Sequence, residues 1–161
     1  MAACLPPDIE RVVTFWAEYC GATGLAASPP PPAEAFGDSR ELADELCALV
    51  LHGPKRASAG LLADYEHEGA ALPRVGGHTI VLDGSGRPRC VVRYTEVRLG
   101  PVSSVDDAFA WDEGEGARTR VSWLAEHRAF FGRRCQALGL VYVDACTAVF
   151  ERFERVWPPP A

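Results

Sequence analysis

Three stretches of the chain carry apolar residues at helical spacing, and β-branched runs lie between them. Ile9, Val12, Val13, Trp16, Tyr19 and Cys20 predict an amphipathic helix, opened by Asp8 as its cap and closed near Gly21. Leu42, Leu46, Leu49 and Val50 predict a second, ended by Gly53. There, Asp38 with Glu41 three residues on resembles a capping box. The longest helix is expected over residues 118–138, with Val121, Leu124, Phe131, Cys135 and Leu138 as its stripe and Trp123 and Phe130 beside it. Residues 79–82 and 89–99, joined by the turn Asp83-Gly84-Ser85-Gly86, read as a hairpin. Further strands are expected at 141–143 and 149–156, a turn of helix or loop at 61–66, and a short capped helix at 104–110.

The order of these elements predicts an α+β fold: a small, mostly antiparallel sheet curled into a β-barrel and flanked by about three helices. Pro29 to Pro32 form a polyproline connector that cannot enter a helix or an interior strand. Residues 1–35 are therefore expected to be an N-terminal helix and connector packed on one domain, residues 36–161.

Composition narrows the functional classes. At 161 residues, 48% hydrophobic and 24% charged, the chain is long enough for one globular core. A net charge of −6 disfavours stable duplex DNA binding, yet leaves room for a cleft that admits a short single strand or one nucleotide. The six cysteines show no Cys-x-x-Cys spacing, and the histidines (His52, His67, His78 and His127) no ligand spacing, so no metal and no cofactor is expected. Cys20, Cys47 and Cys135 fall on or beside apolar faces and read as small buried hydrophobes. No signal-type start and no apolar run of membrane-spanning length is visible, which predicts a cytoplasmic protein with no membrane partner.

Lys55 is the only lysine; the other fixed cations are arginines. It stands in Gly53-Pro54-Lys55-Arg56-Ala57-Ser58, three residues before a hydroxyl. A desolvated lysine can act as a base or a point-charge clamp, which arginine cannot. The same spacing also fits a loop lysine followed by a strand-start serine. Glu113 and Glu115 lie in the glycine-flanked run Asp112-Glu113-Gly114-Glu115-Gly116, where a carboxylate can serve in acid–base work or simply face a helix N-terminus. Tyr65, Trp111 and Trp123 are aromatics able to stack on a base or to fill a core. Arg118, Arg120 and Arg128 can meet phosphate or solvent. His127 reads as a hydrogen-bonded edge of the core.

Taken together, Phe36-Gly37-Asp38-Ser39, Glu41 to Leu46, Gly53-x-Lys55-x-x-Ser58, the acidic loop, and a helix carrying Trp123 and Phe130-Phe131 resemble the ASCH domain family, related to the PUA fold. The resemblance covers about residues 36–157. It implies a barrel of about five or six strands, with a cleft lined by residues 53–58. It also implies recognition of RNA or nucleobases, with one branch hydrolysing N4-acetylcytidine and another cleaving single-stranded RNA. By position it implies Lys55, Ser58 and Glu115 as catalytic residues. Tyr65, Trp111, Glu113, Arg118 and Trp123 are the accompanying candidates for substrate binding. The expected partner is single-stranded RNA, favoured slightly, or a modified nucleoside; a non-enzymatic binding module is the further alternative. Two positions depart from the family pattern: Gly60 lacks the side chain expected two residues after the hydroxyl, and Pro54 stands inside the motif.

Overall fold

Helix α1 (Ile9–Thr23) opens the computed structural model, which describes residues 2–160. It is followed by β1 (Ala33–Ala35), α2 (Arg40–His52), β2 (Ala57–Leu61), α3 (Leu62–Glu68), β3 (His78–Leu82) and β4 (Pro88–Pro101). A 3₁₀ turn, α4 (Asp107–Glu113), α5 (Arg120–Ala137) and β5 (Thr147–Trp157) complete the order. The fold is α+β, but with five α-helices among the described residues rather than about three. The two beyond that count, α3 and α4, are seven residues each: α3 stands where a turn of helix or loop is expected at 61–66, and α4 is the short capped helix expected at 104–110, displaced to start after the Asp106 cap. The strands form one sheet in the order β1-β3-β4-β5-β2, with β1 and β2 as its edges.

The strand at 141–143 does not form. Val141 is 85% exposed and Val143 53%, and the segment is a connection in which Cys146 N–H donates to the Val143 carbonyl. β-branched residues here have no neighbouring strand to pair with, and propensity alone does not make a strand. A strand that the sequence concealed is β1. Directly after the polyproline run, it pairs parallel to β3 with Ala33 opposite Ile80.

Helix ends follow side-chain chemistry. Asp8 caps α1, accepting from Arg11 N–H, and the helix passes Gly21 to stop at Gly24 in the left-handed region. On α2 the cap is Ser39, accepting from Leu42 N–H, so Asp38 is not the cap and Glu41 is not the third helical residue. Thr119 caps α5. Each such cap contributes about 1 kcal/mol.

The chain divides into two compact units. Of the described residues, the first holds 2–53, 76–93 and 154–160. Its core sets Val12, Trp16, Tyr19 and Cys20 of α1 against Ile80, Leu82 and Val91 of the β3–β4 hairpin. That hairpin is antiparallel, as its turn residues predict, with a register shift at Val81–Leu82. Val13 and Ile9, expected on the buried stripe of α1, are exposed.

The second unit holds residues 54–75 and 94–153. Ala57 and Leu61 of β2, Phe109 of α4, Trp123, Leu124, Phe131 and Cys135 of α5, and Phe150 of β5 form its core. Fully burying a side chain such as Phe131 or Phe150 contributes roughly 1.5–3 kcal/mol. Val121, placed on the α5 stripe by spacing, is 79% exposed, because the buried face turns through Trp123 and His127 instead. An Arg134–Asp64 pair joins α5 to α3 at 2.6 Å. Among the described residues no helix is long and apolar enough to cross a membrane.

Candidate functional site

Every residue singled out for chemistry lies in the second unit, where three segments converge. The end of α4 carries Glu113 and continues as Gly114-Glu115-Gly116. This loop lies against the backbone of Pro54 and Lys55, where Arg56 N–H donates to the Asp112 carbonyl at 2.7 Å. Gly114 makes the approach possible in two ways. Its φ is +73°, and a Cβ there would stand 2.8 Å from the Lys55 nitrogen and the Pro54 carbonyl carbon. No L side chain fits that position without moving the backbone. On the other side, Phe153 N–H donates to the Arg56 carbonyl at 2.9 Å and ties the same segment to β5.

This packing buries the only lysine. Lys55 is 1% exposed. Its ammonium donates to the Ala57 carbonyl at 2.9 Å and to Glu115 Oε1 at 2.5 Å, with Glu113 Oε1 3.8 Å away. Glu113, 2% exposed, is the hub of the cluster. It also accepts from Trp123 Nε1–H, and its Oε1 lies 3.2 Å from His127 Nε2. Trp123 and His127 are four apart on α5 and so share a face; their rings stack at 3.7 Å, 9° from parallel. His127 Nδ1 faces the Trp123 carbonyl oxygen at 2.9 Å.

The two carboxylates have different tasks because their surroundings differ. Burial alone would raise the Glu113 carboxyl, but the His127 and Lys55 charges and the donors of His127 and Trp123 outweigh it and hold it below the ordinary range. Glu115 is the member of the pair that reaches solvent, its side chain 21% exposed. Burial raises its carboxyl first, Lys55 pulls it back, and the Glu113 charge adds to the rise; the result lies above the ordinary range. Glu113 is thus a fixed anion and Glu115 a carboxyl able to change charge nearer to neutrality.

A second polar group lies on β2 and β5. Ser58 pairs directly with Glu151 across the antiparallel ladder, which puts both side chains on one face. Ala57, Ala59 and Leu61 face the apolar core on the other. Glu151 is 4% exposed and accepts from the Tyr65 hydroxyl at 2.8 Å. Ser58 is half-buried, and its hydroxyl is engaged by no other side chain among the described residues; the Lys55 ammonium is directed at Ala57 and Glu115.

Trp111 and Arg118 form a third group at the surface. Trp111 is 58% exposed, and the Arg118 guanidinium stands 3.6 Å from its ring centre while donating to its carbonyl oxygen at 2.8 Å. Trp111 therefore does not join Lys55 and Glu113, although Glu113 follows it by two residues; a helix turns those positions to opposite sides. Among the described residues no three His, Cys, Asp or Glu side chains are placed to hold a metal ion.

Two participants escaped the sequence reading. His127 was visible only as a core-edge histidine, though its position four residues after Trp123 puts it beside the same carboxylate. Glu151 is an acid among the apolar strand positions Val149, Phe150 and Phe153, and such a residue must find a donor inside.

An α+β sheet fold with a buried lysine–carboxylate cluster at the start of β2 is thus defined. A family model for the ASCH domain matches residues 33–157, and the chain belongs to that family. A crystal structure from Enterococcus faecalis, with family model DUF984, is 32% identical, covers 92% of this chain and 89% of its own, and gives a TM-score of 0.85. A crystal structure of an ASCH domain from Lactobacillus crispatus is 31% identical, covers 91% and 94%, and gives 0.83. No curated protein matches the chain.

Proposed function

We propose that this ASCH-domain protein is a hydrolase for a nucleobase-bearing ligand, acting on the exocyclic acyl amide of an N4-acylcytidine-type nucleoside. One observation carries the reading: Glu115, with partial access to solvent and a raised carboxyl, is fixed 2.5 Å from a buried ammonium. Such a carboxyl can both take and return a proton. In the proposed reaction the Ser58 hydroxyl oxygen attacks the acyl carbon while its proton passes to Glu115. Glu115 returns that proton to the departing N4 nitrogen. Water then cleaves the acyl-serine, releasing the acid and restoring the hydroxyl. Lys55 serves as a charge clamp that orients Glu115, a role that suits its donor geometry better than that of a base.

The arginines support a small ligand over a long strand. Arg128 is held by Asp144, Arg134 by Asp64, and Arg152 by Asp112 and Glu96, while Arg120 donates to the Val105 and Ser103 carbonyls. Cations engaged in this way must break those contacts before they can neutralise a phosphate backbone. The surface pair of Trp111 and Arg118 favours the second reading, cleavage of single-stranded RNA, because an exposed indole offers a stacking face worth ~1–3 kcal/mol per base.

The test is incubation with N4-acetylcytidine and, separately, with labelled single-stranded RNA, using the wild type and Glu115→Gln. Release of cytidine by the wild type, lost in the variant, is the expected result. RNA fragments without cytidine release would replace the first reading by the second. Ligand binding with no product from either substrate would make the protein a binding module.

A further inference from the structure

Both ring nitrogens of His127 face groups that only accept: Nδ1 the Trp123 carbonyl oxygen at 2.9 Å, and Nε2 the Glu113 carboxylate at 3.2 Å. A neutral imidazole has one N–H and satisfies one of these. With Glu113 a carboxylate, the form favoured by its Trp123 donor and by the Lys55 ammonium 3.8 Å away, the arrangement is complete only when both nitrogens carry protons. The indole of Trp123, stacked at 3.7 Å, presents its negative face to that cation. The ring is 8% exposed, so solvent has little access to either nitrogen.

We propose that His127 is a positioning residue: as an imidazolium it holds Glu113 as a carboxylate, and so leaves Glu115 as the carboxyl that exchanges protons with a ligand. This rests on the reading of Glu115 as the acid–base group. The charge count explains the assignment. Glu113 and Glu115 are two anions in one buried site, and Lys55 alone matches one of them. The second cation is His127. Without it, the two carboxylates and one ammonium would retain a proton, and the more deeply buried carboxyl, Glu113, is the one that burial neutralises first. The charged groups facing the ring are Glu113 from α4, Glu115 from the loop and, beyond Glu113, Lys55 from the segment before β2; Phe131 of its own helix packs at 5.3 Å.

The direction of the coupling follows. On Glu115 the Glu113 charge acts upward more strongly than the His127 charge acts downward. Loss of the imidazolium, with a proton then settling on Glu113, lowers the Glu115 carboxyl. His127→Gln tests charge in particular, since its amide can still donate to Glu113.

Nuclear magnetic resonance of ¹⁵N-histidine and ¹³C-carboxyl-glutamate protein reads these states without any substrate. In the wild type at pH 7, both His127 nitrogens are expected to be protonated and Glu113 ionised. In His127→Gln, Glu113 is expected to show the protonated carboxyl signal at pH 7, and the Glu115 titration to move to lower pH. A neutral His127 tautomer at pH 7 in the wild type would overturn the proposal, as would a Glu113 still ionised in the variant. If the variant does not fold, the wild-type histidine signals decide alone. Absence of turnover in the wild type would sink the hydrolase reading and leave these signals to judge His127 separately. Where turnover is present, the acid limb of the pH–rate profile is expected to shift down in His127→Gln.

Discussion

A Cβ placed on Gly60 would stand 3.5 Å from the Tyr65 ring, in ordinary van der Waals contact. The side chain missing at position 60 thus leaves a space bordered by Tyr65, whose hydroxyl is already bonded to Glu151. Gly60→Ala is expected to fold normally, with a melting temperature within a few degrees of the wild type. A large drop would show that the ring cannot share the space.

Tyr65→Phe keeps the ring and removes the donor. Glu151 then loses a hydrogen bond in a place that is 4% exposed. Urea denaturation should show a loss of about 1–3 kcal/mol. An unchanged midpoint would mean that Glu151 finds another donor at no cost.

Lys55→Met removes the ammonium from between the buried Glu113 and the partly buried Glu115. Breaking a buried pair from one side typically costs about 3–5 kcal/mol. Turnover, where present, is expected to vanish. Adding Glu115→Gln to Lys55→Met should recover part of the stability and none of the activity. Strict additivity of the two stability losses would argue against direct coupling.

Gly114→Ala combines a left-handed φ with a 2.8 Å approach to the Lys55 backbone. It should be the most disruptive single-methyl change in the acidic loop, lowering stability by roughly 1–3 kcal/mol and weakening any ligand binding at Glu115. Chemical denaturation and a binding titration check both effects.

Stability should fall as the solution becomes alkaline. The Glu113 charge raises the His127 imidazole against the opposing effect of burial. Above the unfolded value of 6.5 the folded chain keeps a proton that the unfolded chain has released, so stability declines until pH passes the folded value. Glu113, held low, acts oppositely: its contribution is present above its unfolded value of 4.5 and lost as the solution turns acidic. Glu115, held high, loses its contribution as pH rises through its folded value. Urea midpoints from pH 6 to 9 should decline in the wild type, whereas in His127→Gln the proton retained on Glu113 should make the decline begin lower, above the unfolded carboxyl value of 4.5.

Periodic patterning made the long helices and the β3–β4 hairpin legible, because apolar spacing and turn residues act locally. It missed β1, a three-residue strand that exists only through its pairing with β3. It also invented a strand at 141–143, where β-branched residues sit in a connection. At the site, the meeting of Lys55 with Glu115 was foreseeable from the resemblance alone, since 60 residues separate them and no spacing rule joins them. Glu113, a candidate for substrate binding, has its side chain turned toward Lys55, Trp123 and His127. That direction depends on how α4 meets α5, which a linear pattern does not encode.

Because Lys55 is both the only lysine and 1% exposed, the folded chain offers no readily reached side-chain primary amine. An amine-selective acylating reagent will therefore find that nitrogen only in molecules whose acidic loop has come away from the Pro54–Lys55 backbone. The rate of labelling at this single position becomes a clock for opening of the cluster, readable by mass without any probe being introduced.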